Sequence, residues 1–111
     1  MSTIFGLIIE GKIPCTKVFE SENVLAIEDI HPIAPVHVLI MPKKRIMNFQ
    51  SVEPEDWPLI QEVFQAAQQI AEEKGIADGY RLLTNNGPDA GQTVFHLHFH
   101  LIGGSVLGKM A

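Results

Sequence analysis

The stretch GQTVFHLHFHLIGG, residues 91–104, decides how the chain is read. In an extended segment side chains alternate between faces, so His96, His98 and His100 share one face and Leu97, Phe99 and Leu101 the other. The apolar trio predicts a core-facing side, and the opposite side would present imidazoles about 6.5 Å apart in succession. A strand over 96–102 follows. The polar loop NNGPDAGQT, residues 85–93, precedes it, and a second strand is expected at 80–84.

Working outward, Ile60, Val63, Phe64, Ala67, Ile70 and Ala71 recur on one face of a helix whose other face is rich in Gln and Glu. Gly75 closes that helix. Its start is harder to place, because Pro54 and Pro58 cannot both sit comfortably inside it. His37–Met41 reads as an apolar strand stopped by Pro42 and the basic trio Lys43, Lys44 and Arg45. HPIAP, residues 31–35, is a loop by its two prolines. Thr16–Ser21 and Asn23–Ile30 read as strands joined by a turn at Ser21 and Glu22. Ile4, Leu7 and Ile8 mark a short helix ending near Glu10. Together these predict one domain over 1–111, of α+β class with a mainly antiparallel sheet.

Composition narrows the function. With 111 residues and 46% apolar content, the chain can build one ordinary core. A formal net charge of −5 argues against nucleic-acid polymers, though not against a small phosphorylated ligand held by local donors. No apolar run reaches a membrane span, and the N-terminus lacks the basic start of a secretory signal. A lone Cys15 fits a reducing, cytoplasmic setting.

Histidine can serve as nucleophile, proton donor or neutral hydrogen bonder near pH 7. With His37, four of the five histidines gather if the two strands are neighbours. A solvent-facing row of imidazoles and a zinc site are the alternatives. Against zinc, no Cys or acid lies beside the triad in sequence to complete a ligand set. Lys43, Lys44 and Arg45 read as strand-end charges, Cys15 and Trp57 as packing residues, and His31 is given no role.

The motif at 91–104 resembles that of the histidine-triad (HIT) superfamily. IPCTKVFE, EDIHPIAPVHVLIMPKK and LLTNNGPDAGQTVFHLHFHLIGG extend the likeness over residues 4–104. It implies a HIT-like fold with about five antiparallel strands and two helices. The double glycine and short chain favour the Hint branch over the Fhit branch. That branch implies a metal-free and cofactor-free hydrolase of purine nucleoside phosphoramidates, with AMP-type substrates. His98 would be the nucleophile, forming a nucleotidyl-histidine, and its second nitrogen would donate to a backbone carbonyl. His100 would donate to the phosphate. His96 and His37 would orient the site and relay a proton to the departing amine. Gly91, Gln92 and Thr93 would contact the phosphate by backbone amide and hydroxyl, and Asn85 the nucleotide. Asp29 would accept from the ribose hydroxyls beside Ile30, favouring ribonucleotides. Phe5, Ile8 and Ile27 would wall the purine, with ordinary core packing the equal alternative for each.

The likeness also implies a homodimer. Two departures stand out. Thr3 and Gly6 occupy places where many bacterial relatives carry zinc-binding cysteines, so structural zinc is not expected. The tail SVLGKMA replaces a segment ending Trp-Pro-Pro-Gly, which bears on the leaving-group side. Fhit-like hydrolysis of dinucleoside polyphosphates, and a nucleotide-binding or scaffolding role with incidental hydrolysis, are the other readings.

Overall fold

All strands among the described residues of this computed structural model join one antiparallel sheet of order β1-β2-β3-β5-β4. The structure describes residues 3–110. Met1, Ser2 and Ala111, which end the expected 1–111 domain and its SVLGKMA tail, lie outside them. The strands are β1 (Lys17–Glu20), β2 (Val24–Glu28), β3 (Val36–Pro42), β4 (Tyr80–Leu83) and β5 (Phe99–Gly103). Two α-helices complete the fold, α1 (Ile4–Ile9) and α2 (Trp57–Glu73). The expected α+β architecture of five antiparallel strands and two helices is therefore what the chain adopts.

The alternating pattern separates two layers of core. Val24, Ala26, Val38, Ile40, Leu97, Phe99 and Leu101 turn toward α2, where Val63, Ala67 and Ile70 meet them. Leu25, Ile27, Leu39 and Met41 turn the other way and pack with Phe5 and Ile8 of α1. The short α1 is capped by Thr3, whose hydroxyl accepts from the Gly6 amide at 3.1 Å. At its far end α2 closes with the Gly75 and Ile76 amides donating to the carbonyls of Glu72 and Ala71.

Several boundaries differ from the sequence reading. The two prolines before α2 are shared out: Pro54 opens a separate 3₁₀ turn, Pro54–Asp56, and Pro58 sits in the first turn of α2. There its missing N–H leaves no helical bond unmade. Phe64 and Trp57, expected in the core, are 40% and 50% exposed. Both lie where α2 overlooks the edge of the sheet, with no further strand among the described residues to cover them. Of the basic trio, Lys43 pairs with Glu20 at 2.7 Å and Lys44 with the buried Asp56 at 2.6 Å.

The histidine strand is the main correction. Its ladder begins at Phe99 rather than His96, although the alternation of faces continues back to Leu97. The partner strand β3 ends at Pro42, which has no amide to donate. The backbone of 96–98 instead bonds elsewhere: the Leu97 amide donates to the Ile46 carbonyl, and the His98 carbonyl accepts from the Thr84 hydroxyl at 2.7 Å.

The double glycine after the triad has a packing reason. A Cβ on Gly103 would lie 2.9 Å from Ile76 Cδ1 and 3.0 Å from the Gly79 carbonyl oxygen. Gly104 adopts a φ of 93° with Pro35 close by. We therefore expect Gly103→Ala to lower stability by about 1–3 kcal/mol through overpacking at the β4–β5 pairing. Chemical denaturation would show it as a lower midpoint, and a wild-type midpoint would refute this account.

Candidate active site

β3 and β5 are hydrogen-bonded neighbours, with Leu39 opposite His100 and His37 opposite Ile102. This register brings His37 to the triad on the face that carries α1, away from α2. There the two strands, α1 and the loops around residues 29 and 93 enclose a cavity of about 340 Å³. Asp29, Ile30, Thr93, His98 and His100 line it, as do Phe5, Ile8 and Ile27. None of its lining residues is Lys or Arg.

Hydrogen-bond partners fix the tautomers of the four clustered imidazoles. His98 Nδ1 lies 2.8 Å from the carbonyl oxygen of His96, which can only accept, so Nδ1 carries the proton. Nε2 of His98 then keeps a free lone pair. The ring is 9% exposed, with Phe5 edge-on at a centroid distance of 4.8 Å. Burial pushes its proton affinity below the ordinary histidine value, opposed by its bond to the His96 carbonyl and by the nearby Asp29 charge. A neutral imidazole with one lone pair available is the form a nucleophile needs.

His37 is set in the opposite sense. Its Nδ1 accepts the Ile33 amide at 3.1 Å, so its proton resides on Nε2. That Nε2–H donates to His100 Nδ1 at 2.9 Å, which places the His100 proton on Nε2. Asp29 Oδ2 lies 3.2 Å from the same His37 nitrogen. Burial, with the His98 and His37 rings adding to it, lowers the His100 pKa to about 4, against a raising influence of Asp29.

His96 stands apart. It is 1% exposed, its Nε2 donates to the Pro42 carbonyl at 2.8 Å, and its Nδ1 has no hydrogen-bond partner among the described residues. Its ring does not line the cavity; it anchors the carbonyl that orients His98. The structure thus pairs His37 with His100 rather than with His96. The His98 and His100 ring centroids are 5.2 Å apart, so these rings lean closer than the strand repeat alone suggests.

The loop residues also divide. Thr93 is exposed and borders the cavity. The Gly91 and Gln92 amides donate to the carbonyls of Pro88 and Gly87, closing turns within the loop. Gly91 holds a φ of 95°, and no protein atom crowds its Cβ position, so the backbone conformation calls for glycine there. Gln92 is buried, and its side chain accepts from the Gly87 amide and donates to the Met47 and Val94 carbonyls. Asn85 is half-buried at the start of the loop, outside the cavity lining. Sequence reasoning missed Thr84, the Pro42 carbonyl, and Ile13, Cys15 and Val94 in the cavity wall. Only Pro42 left a signal, a proline at the end of the strand beside the triad.

Oxygen and nitrogen atoms of Asp29, His37 and His100 lie within 4.8 Å of one another, a spacing that a metal ion could bridge. The Ile33 amide opposes this use. A metal on His37 Nε2 would move the ring proton to Nδ1, directly against that N–H.

The HIT domain family profile matches residues 10–106. This chain belongs to the HIT family. A HIT-like protein of Chlamydia pneumoniae is 53% identical, over 98% of this chain and 99% of its own length. Among solved structures, a HIT family hydrolase from Clostridium thermocellum is 47% identical with a TM-score of 0.94, covering 98% of this chain and 96% of that one. A HIT family hydrolase from Legionella pneumophila gives the same TM-score at 41% identity, covering 96% of each chain. The chain therefore has the fold of HIT family hydrolases.

The depressed imidazoles have a consequence for stability. In the unfolded chain these side chains protonate near pH 6.5, whereas folded His100 stays neutral down to about 4. Stability is then full above pH 7 and falls as pH drops from 6.5 to 4, because only the unfolded chain binds the proton. For His100 the loss is on the order of 2 kcal/mol, allowing for screening at a partly exposed ring. Denaturation series across this window should show that decline, made shallower by His100→Asn. An equal slope in the variant would remove His100 as its source.

Proposed function

We propose that this HIT protein is a Hint-branch hydrolase of purine nucleoside 5′-phosphoramidates, working in the cytoplasm without metal or cofactor. The observation that carries this reading is the His98 bond to the His96 carbonyl, which frees Nε2 to face the cavity. His98 Nε2 attacks the phosphorus, the phosphorus–nitrogen bond breaks, and the amine leaves. Water then displaces His98, releasing the nucleoside monophosphate. His100 Nε2–H donates to the phosphoryl oxygens. For the amine to leave neutral, the His37–His100 pair first takes up one proton from solvent and passes it on from His100 Nε2, since the His96 ring lies behind the site.

Thr93 adds a neutral donor at the phosphate, while Gln92 and Gly91 shape the loop that presents it and Asn85 stands at its start. Phe5, Ile8 and Ile27 wall the purine. Asp29 accepts from the ribose hydroxyls next to Ile30. The lack of Lys and Arg in the lining favours one phosphoryl monoanion over the several charges of a dinucleoside polyphosphate.

Purified protein should hydrolyse adenosine 5′-phosphoramidate in the presence of EDTA, and His98→Ala should lose activity by at least about a thousandfold. Comparable turnover by the variant would remove His98 as nucleophile. Faster cleavage of diadenosine triphosphate would move the protein to the Fhit-like reading, and AMP binding without turnover to a binding module.

A second copy of the chain is the proposed partner. β4 is an edge strand, and beside it Trp57, Ile60, Phe64, Tyr80 and Leu82 line an apolar groove of about 520 Å³. Unpaired strand edges and contiguous apolar surface are the features that association covers. Light scattering should give a dimer mass for wild type and a monomer for Phe64→Glu; a monomeric wild type would refute this.

A further inference from the structure

On the phosphoramidase reading, a carboxylate beside the phosphate is unexpected, because a neutral acceptor could bind ribose without repelling an anion. We propose that Asp29 serves the reaction as well as the ribose, its carboxylate supporting the positive charge that His98 and His100 acquire during turnover.

The geometry holds Asp29 for this purpose. Its Oδ1 accepts the His31 amide at 2.8 Å, which fixes the carboxylate, and Oδ2 points to His37 Nε2 at 3.2 Å. Among the ion pairs of the described residues that include Asp29, the one partner is this histidine rather than a Lys or Arg. Its charge is therefore not already neutralised.

The chemistry generates a cation within reach. When Nε2 of His98 bonds to phosphorus, Nδ1 keeps the proton it donates to the His96 carbonyl. The ring becomes an imidazolium until water displaces it and the phosphorus–Nε2 bond breaks. His100 becomes cationic while the His37–His100 pair carries the proton taken up from solvent, because its Nε2 is already protonated and its Nδ1 shares the added proton with His37. The charged or titratable groups facing His100 are His37 from β3, His98 from its own chain segment and Asp29 from the loop after β2. Asp29 alone among them opposes the loss of proton affinity that burial imposes on His100. The remaining acid of the cavity wall, Glu28, is paired with Lys74 at 2.9 Å. A fixed opposite charge in a water-poor site lowers the barrier to forming such a cation.

Asp29→Asn, nearly the same shape, separates this role from ribose binding. The substrate to use is 2′,3′-dideoxyadenosine 5′-phosphoramidate, which has no ribose hydroxyls for residue 29 to hold. Asp29→Asn should lower kcat on it by about tenfold or more relative to wild type. Equal kcat on this substrate, with an effect confined to KM on the ribonucleotide, would overturn the proposal. In the ligand-free protein, imidazole signals followed by NMR should show His98 and His100 staying neutral to lower pH in Asp29→Asn. Unchanged titrations would also overturn it. Failure of the wild type on every phosphoramidate would defeat the functional reading instead, and the titrations would still report the coupling.

Discussion

The His98 ring bonds to the carbonyl of His96 in a segment that lies outside the sheet ladder, and much of the site follows from this arrangement. A β3–β5 pairing continued to Leu97 would commit the Pro42 carbonyl, which now holds the His96 ring, to a strand amide. Pro42 is where the pairing stops, since it offers no amide. Beyond it the Pro42 carbonyl takes the His96 ring, the His96 carbonyl takes the His98 ring, and the His98 carbonyl takes the Thr84 hydroxyl. These backbone groups remain satisfied, as buried groups must, but by imidazoles and a hydroxyl instead of a neighbouring strand.

This arrangement separates rigidity from reactivity. Leu97, Phe99 and Leu101 stay locked in the core against α2, so the segment cannot rotate even where its ladder has lapsed. On the opposite face, the same residues that exclude water also prepare the histidines chemically. Phe5 against His98 contributes to the burial that lowers the proton affinity of that ring. Removing a wall residue would therefore alter the protonation of the ring as well as the shape of the pocket.

Much of this was legible in the sequence where the signal was local. Alternation placed the three histidines opposite an apolar trio, and helical periodicity located α2. What was hidden depended on distant partners. His100 meets His37, 63 residues away, and nothing in either segment's pattern says that His96 will not. Phe64 carries the spacing of a core residue, yet periodicity reports which side of a helix is apolar, not what covers it. Gln92 looked like a ligand contact because it lies in the motif. Its side chain closes the loop through carbonyls that no sequence pattern advertises, one of them on Met47.

The absence of cationic side chains in the cavity then becomes intelligible as part of the same design. A Lys or Arg near the phosphate would strengthen binding, but it would also pair with Asp29 and repel an imidazolium on His98. On the proposed reaction, neutral donors from Thr93 and His100 hold the anion by directed hydrogen bonds while the carboxylate keeps its charge. The two aspects of the site are linked through His37: the Ile33 amide fixes its proton, that proton fixes His100, and the same nitrogen faces Asp29. The loop HPIAP is thus more than a connector between strands, since its Ile33 amide sets the protonation pattern of the His37–His100 pair.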